Sequence, residues 1–287
     1  MPATVGRPGP VLVTGANSGI GLAAVLHLAG RGWDVHGTVR SRSKAVRLRE
    51  EARSSGVSDR VHAVVLDVSD HDAVVARWPR LPDFYAVVNN AGASVTGPVE
   101  TVPAADAKAL LDVNLVSPAV VASCALPSMR RRGAGRIVNV SSIAGREAIM
   151  PFHAWYHASK FGLEALSDVL RVEVAPFGVK VSLIEPGFFA TSILDKADAQ
   201  VRELGDADGP YAAGLARVQQ IMGVLDRVAP PPRAVARAIT SAIESARPKR
   251  RYLVGREALP LRGLGFVPDE VTDRVVRLVA DLGGGHR

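Results

Sequence analysis

Short apolar runs alternate with stretches of helical periodicity along this chain. Residues 11–14 form an apolar run closed by glycine, and 20–31 follow with Ile20, Val25 and Leu28 on one helical face. Residues 34–40 read as a strand and 43–54 as a charged helix carrying Val46 and Leu48. A strand at 61–66 leads to Asp70, which caps a helix running toward Trp78. The alternation continues with a strand at 84–89 and a helical stretch from about 104 to 132. A strand at 136–140, a helix at 154–176 and a strand at 180–184 complete it. The strands are apolar throughout, as at 86–88, 137–140 and 181–184. Strands buried on both faces have that composition. The pattern predicts an α/β fold: one doubly wound parallel sheet with helices on both faces.

After Pro186 the pattern loosens. Residues 188–232 are long and mixed, with amphipathic spacing at 211–225, and a connection of that length in a compact domain is usually functional. Pro230-Pro231-Pro232 ends it; a helix at 233–246, a strand at 251–254 and a helix at 269–282 follow. The expected organisation is a tail at 1–9, a single domain at 10–282 and a flexible end at 283–287.

Composition narrows the classes. With 47% hydrophobic and 22% charged residues, the chain is an ordinary globular sequence and not a disordered one. Its apolar runs stop short of the roughly 18 residues that suggest a membrane span. The first ten residues contain no apolar core of a signal peptide. The single cysteine, Cys124, has no internal disulfide partner, which fits a reducing, cytoplasmic setting. The balance of 35 basic and 28 acidic residues gives +7. The arginines are mostly scattered, and the densest runs, 130–132 and 249–251, are short and far apart. That placement argues against a nucleic-acid partner. No histidine or cysteine spacing suggests a metal site.

Thr14-Gly15-Ala16-Asn17-Ser18-Gly19-Ile20-Gly21 lies between the first strand and the first helix. Glycines there permit a tight turn and a close approach to a ligand, and the opening N–H groups of the helix face outward as an anion site. This is where a doubly wound fold holds a pyrophosphate. An acid after the second strand would bind the ribose of NAD, but 38–42 contains none. Arg40 can instead pair with a 2′-phosphate, with Arg42 or Lys44 as helpers. NADP(H) is therefore the expected cofactor and NAD(H) the second choice.

Tyr156 and Lys160 are four apart on a predicted helix and share a face. A nearby ammonium and a cationic nicotinamide ring both favour a phenolate, so the pair could exchange protons with an alcohol or carbonyl oxygen. Ser141 and Ser142 follow a buried strand, at the carboxyl edge of the sheet, and Asn114 is a polar residue within the long helix.

With these residues assembled, the sequence resembles the short-chain dehydrogenase/reductase family, strongly over 10–191 and more loosely beyond. Residues 14–21 look like its cofactor loop, Asn89-Asn90-Ala91-Gly92 like its strand-end motif, and Asp67-Val68 like the pair that contacts adenine. Asn114, Ser142, Tyr156 and Lys160 look like its catalytic tetrad, and Pro186-Gly187 with Thr191 like the segment that holds the nicotinamide carboxamide. The resemblance implies a Rossmann-type domain with Tyr156 as general acid/base. It also implies that Lys160 lowers the tyrosine's pKa and holds the ribose, Ser142 holds the substrate oxygen, and Asn114 helps hold a relaying water. Ser142 precedes Tyr156 by fourteen residues, one more than the family's usual spacing, which an insertion within 146–153 explains.

The long loop and its surroundings point to the substrate. Phe152, Trp155, Phe188 and Phe189, with Tyr211, Leu215, Met222 and Leu225, are expected to line a pocket beside Tyr156. Core packing is the competing role for about half of them. The lining suggests a medium or large apolar alcohol or carbonyl compound. The 186–191 segment and the 251–255 strand look like the hydroxysteroid and retinol dehydrogenase branch. The long helices at 104–132 and 154–176 carry more apolar positions than one sheet face needs, so a homodimer or homotetramer is expected. The competing function is a regulatory dinucleotide-binding protein that performs no chemistry.

Overall fold

The structure is a computed structural model that describes residues 8–187, 209–228, 230–255 and 267–280, without the side chains of 225–228. Its centre is a parallel sheet of seven strands in the order β3-β2-β1-β4-β5-β6-β7. The strands are β1 Val11–Val13, β2 Val35–Val39, β3 Val61–Val65, β4 Ala86–Asn89, β5 Gly135–Val140, β6 Val179–Pro186 and β7 Arg251–Val254. The order reverses between β1 and β4, whose register sets Val13 beside Val88. Ligands of doubly wound sheets bind in the crevice outside the carboxyl ends of the strands at such a reversal.

Alternation of side chains divides the core. Val11, Val13, Val88, Val138 and Ile184 face α1 Gly19–Gly30, α2 Arg42–Ser54 and α8 Arg233–Glu244. Leu12, Val87, Ile137 and Val181 face α3 His71–Arg77 and α5 Ser117–Arg132. The remaining described helices are α4 Ala104–Leu111, α6 Ala154–Glu173, α7 Ala212–Val228 and α9 Asp269–Val279. Local chemistry sets the starts of two elements: Asp70 accepts from the Ala73 N–H at 2.9 Å and Ser41 from the Lys44 N–H at 3.3 Å.

The long helix expected at 104–132 is not regular. A π turn, Asp112–Val116, joins α4 to α5. Pro118 has no N–H to give the carbonyl of Asn114 four residues back, and its ring crowds that carbonyl, so the turn widens. Among the described residues this stretch is long and apolar enough to cross a membrane by length and composition. Its Val121, Ala122, Ala125 and Met129 pack into the core beside the sheet.

Candidate active site

A cavity of about 490 Å³ opens along the carboxyl ends of the central strands. Its floor begins at the loop after β1. Gly15 and Gly19 have φ of +67° and +52°, a left-handed conformation that glycine adopts without strain. With Asn17, Ser18 and Ile20 they line the cavity at the start of α1. Gly21 does not reach the wall. A methyl group there would collide with the Gly15 carbonyl and the Asn90 amide, so this glycine lets helix and strand pack.

Asn90, Ala91 and Gly92 line the opposite side. The Asn90 amide donates to the Thr14 carbonyl at 2.9 Å, so its side chain clamps β4 to the loop after β1. The Thr14 hydroxyl accepts from the N–H groups of Asn90 and Ala91, each at 2.9 Å. Asp67 and Val68 form a further stretch of wall. One Asp67 oxygen is held by the Ser69 N–H at 3.0 Å and its hydroxyl at 2.8 Å.

Arg40, Lys44 and Arg47 gather where β2 ends. Arg47 was not anticipated; it stands on α2 and reaches the cavity only because that helix starts beside the wall. Arg42 does not line the cavity. The glycine-lined cradle, the helix start and these cations fit the phosphates of a dinucleotide.

Ser142, Tyr156 and Lys160 share the inner wall. The Ser142 hydroxyl accepts from the Ala144 N–H at 3.1 Å, donates toward the Pro186 carbonyl at 3.5 Å, and is hydrogen-bonded to Tyr156. Burial raises the Tyr156 pKa above its ordinary value, and the Ser142 hydrogen bond works against that rise. Lys160 Nζ donates to the Val140 carbonyl at 3.0 Å and lies 5.7 Å from the centre of the Tyr156 ring. Burial lowers the Lys160 pKa to about 8, with Glu164 acting in the opposite direction. The depressed tyrosine pKa expected from the sequence is therefore not seen in the protein alone. Desolvation outweighs the Ser142 hydrogen bond and keeps the phenol protonated.

Asn114 stands behind the wall, on the π turn, and is 1% exposed. Its Oδ1 accepts from the Ala93 N–H at 2.9 Å. Its Nδ2 donates to the Ala93 carbonyl and to Ser159 Oγ, both at 3.0 Å.

The apolar end of the cavity is built from Ile149, Met150 and Met222, with His153 and His157 beside them. Both rings are committed internally. His153 meets Thr96 Oγ1 and the Pro151 carbonyl at 3.1 Å each, and His157 meets the Ala144 carbonyl at 2.8 Å and the Met150 N–H at 3.3 Å. Burial lowers both histidine pKa values, keeping them neutral.

Phe152 and Trp155, expected on the pocket wall, are placed elsewhere. Phe152 has φ of +64°, which turns its ring into a cluster with Val218 and an edge-on contact to Tyr211 at 6.0 Å. Trp155 packs against Val95, Val102, Ala107 and Leu110. Tyr211 and Leu215 border the Phe152 cluster, and Met222 both joins it and reaches the cavity. Pro186 and Gly187 are on the wall, while Phe188, Phe189, Thr191 and the side chain of Leu225 lie outside the described residues.

Residues 10–202 match the family described as short chain dehydrogenase. The chain belongs to the short-chain dehydrogenase/reductase family. Human retinol dehydrogenase 5 is 33% identical to it over 289 residues, covering 94% of this chain and 88% of that one. A short-chain dehydrogenase/reductase from Burkholderia phymatum, solved in complex with NAD, superposes with a TM-score of 0.77 at 26% identity and covers 92% of this chain and 95% of its own. A metagenomic short-chain oxidoreductase in complex with NADP gives 0.66 at 27% identity, covering 86% and 97%. As a short-chain dehydrogenase/reductase, this protein is a nucleotide-binding oxidoreductase acting on alcohol and ketone groups.

Proposed function

We propose that this short-chain dehydrogenase/reductase is an NADP(H)-dependent enzyme that interconverts a secondary alcohol and a ketone or aldehyde on a medium or large apolar substrate. The observation that carries this reading is the Ser142–Tyr156–Lys160 wall, with a cationic end of the cavity on one side and an apolar end on the other. Arg40, Lys44 and Arg47 would hold the 2′-phosphate, and residues 38–42 contain no carboxylate to repel it. The glycine loop would hold the pyrophosphate, and Lys160 the nicotinamide ribose. A bound nicotinamide supplies or accepts the hydride.

The chain's own residues manage the proton and the alignment. Ser142, fixed by the Ala144 N–H, would present its hydroxyl to the substrate oxygen. Tyr156, protonated at neutral pH, would donate to that oxygen as a carbonyl is reduced; in the reverse direction its phenolate form, reached by losing that proton, would accept from the alcohol as it is oxidised. The Lys160 ammonium would stabilise the phenolate left behind, and its bond to the Val140 carbonyl keeps it within reach. Ile149, Met150 and Met222 would bury the apolar body of the substrate. The resemblance to human retinol dehydrogenase 5 supports a substrate of that size.

Exposed Phe161, Val169 and Val172 on α6 and Val116 beside α5 support self-association as a homodimer or homotetramer. Light scattering at micromolar concentration should give a multiple of 30.2 kDa. The catalytic reading is tested by Tyr156→Phe, which removes the hydroxyl and keeps the ring. NADPH binding should survive while turnover on a panel of apolar ketones and secondary alcohols falls by roughly 100-fold or more. Near-normal turnover in that variant would overturn it.

A further inference from the structure

Behind the catalytic wall lies a group of buried charges that the proton chemistry above does not use. Glu164 follows Lys160 by one turn of α6, so the two side chains share a face. Both are enclosed, at 5% exposure for Lys160 and 7% for Glu164. An isolated buried carboxylate is costly, and this one is partnered from across the sheet. Arg251 on β7 approaches Glu164 Oε2 with Nη2 at 3.0 Å and Nε at 3.1 Å. The same guanidinium lies 3.0 Å from Glu185 Oε1 and 2.6 Å from Asp168 Oδ2. Glu164 and Glu185 are the two deeply buried carboxylates of the group, and they share this one guanidinium. The other buried cation on the helix is Lys160.

Gly145 packs closely against this face of the helix. A methyl group on Gly145 would lie 2.8 Å from Ser141 Oγ, 3.0 Å from the Lys160 carbonyl oxygen and 3.1 Å from Glu164 Cγ. Ser141 follows Val140, whose carbonyl holds Lys160 Nζ. Ser141 Oγ and Glu164 Oε1 are both buried and neither completes a hydrogen bond of ordinary geometry. The adjacent hydroxyl still offsets part of the burial that raises the Glu164 pKa, as Arg251 does, while Glu185 adds to the rise.

We propose that Glu164 is a positioning residue for the catalytic lysine: a buried carboxylate, fixed by Arg251 and covered by Ser141, that supplies the counter-charge to the Lys160 ammonium. Burial drives the ammonium toward neutrality, and Glu164 opposes it. A neutral lysine could neither steady a phenolate nor bind ribose hydroxyls as a cation. The other charged or titratable groups facing this pair are Tyr156, His157 and Asp168 on α6, Arg146 after β5, Glu185 on β6 and Arg251 on β7. Arg146 lies 3.5 Å from Glu185, so the loop beside the substrate end is tied to the same group.

The test is NADPH affinity, read by cofactor fluorescence from neutral to alkaline pH, with no substrate present. In the unmodified protein the affinity should weaken through a bend near pH 8, where Lys160 loses its proton. Because Lys160's role is itself proposed, Lys160→Ala is the control, and it should abolish the bend. Glu164→Gln should move the bend down by about half a pH unit or more, and Glu164→Asp should restore part of the shift. Ser141→Ala, which lets the Glu164 carboxyl protonate more readily, should move it the same way by less and serves if Glu164→Gln fails to fold. A Lys160-dependent bend that neither Glu164→Gln nor Ser141→Ala moves would overturn the inference and leave the catalytic reading standing. A missing bend, or one that survives Lys160→Ala, would overturn the assignment of Lys160 and this inference with it.

Discussion

Pro118 lies four residues beyond Asn114, and the helix between them widens into a π turn. The widening sets the Asn114 amide against both backbone groups of Ala93 and against Ser159 Oγ. Ser159 in turn donates to the carbonyl of Tyr156 at 2.7 Å. One buried amide thus joins the loop after β4, the α4–α5 helix and the helix that carries Tyr156.

Asn114→Ala should therefore damage both stability and turnover. It leaves the half-buried Ala93 N–H and carbonyl without their partner, which costs about 1–3 kcal/mol. Chemical denaturation should show a lowered midpoint with an unchanged slope. Turnover should fall by roughly 10-fold or more, since the helix bearing Tyr156 loses a fixed contact. A fully active variant of unchanged stability would count against the cross-link.

The strands were readable because parallel strands buried on both faces are short apolar runs, and β7 at 251–254 matches its expected limits. The π turn was not, because apolar spacing reads the stretch to Arg132 as one helix; Pro118 was the available signal. The aromatic residues near Tyr156 were visible as apolar, but their directions depend on a loop where Phe152 takes a left-handed φ. Arg47 needs tertiary placement, since nothing local says that α2 turns it toward β2's end. Glu164 and Arg251 are 87 residues apart, and only the β5-β6-β7 order brings them together.

Cofactor preference should depend on more than one cation. Arg40 and Arg47 line the cavity and Arg42 does not. Arg40→Ala and Arg47→Ala should each weaken NADPH binding by about 10-fold or more while leaving NADH nearly unchanged, because a charge-assisted bond to phosphate is worth about 1.5–3 kcal/mol. Arg42→Ala should alter neither. Fluorescence titration of each variant with both cofactors checks this, and equal affinities for NADPH and NADH in the unmodified protein would remove its basis.

Two glycines of α1 should respond in opposite directions to the same substitution. Gly21→Ala sets a methyl group against the Gly15 carbonyl and the Asn90 amide, neither of which can yield without moving the cofactor loop. Its cost should be about 1–3 kcal/mol, with weakened NADPH binding. Gly30 has nothing within 4 Å of an added methyl group. Gly30→Ala should be neutral or stabilising by up to about 1 kcal/mol, through lower entropy of the unfolded chain. Thermal melts of the two variants, with and without NADPH, separate a packing glycine from an incidental one.

Lys160 should be a residue whose removal strengthens the fold. Its pKa falls from 10.5 in the free side chain to about 8 in the protein, chiefly through burial. Below pH 8 both folded and unfolded chains carry the charge, and the folded one bears the full cost of enclosing it. Between pH 8 and pH 10.5 the unfolded chain binds more protons than the folded one, so this group's contribution to stability rises with pH. Lys160→Met keeps the packing of the stem and removes the charge. At pH 7 it should be more stable than the unmodified protein by about 2 kcal/mol, the linkage value less the loss of the bond to the Val140 carbonyl. The difference should shrink as pH rises from 8 and change sign before 10.5, where the penalty is nearly gone and the lost bond remains. Turnover should be lost at every pH, because the ammonium that steadies the phenolate is gone. Denaturation curves of the two proteins across that range test the sign directly: a Lys160→Met protein less stable at pH 7 would mean that the lysine's contacts outweigh its desolvation.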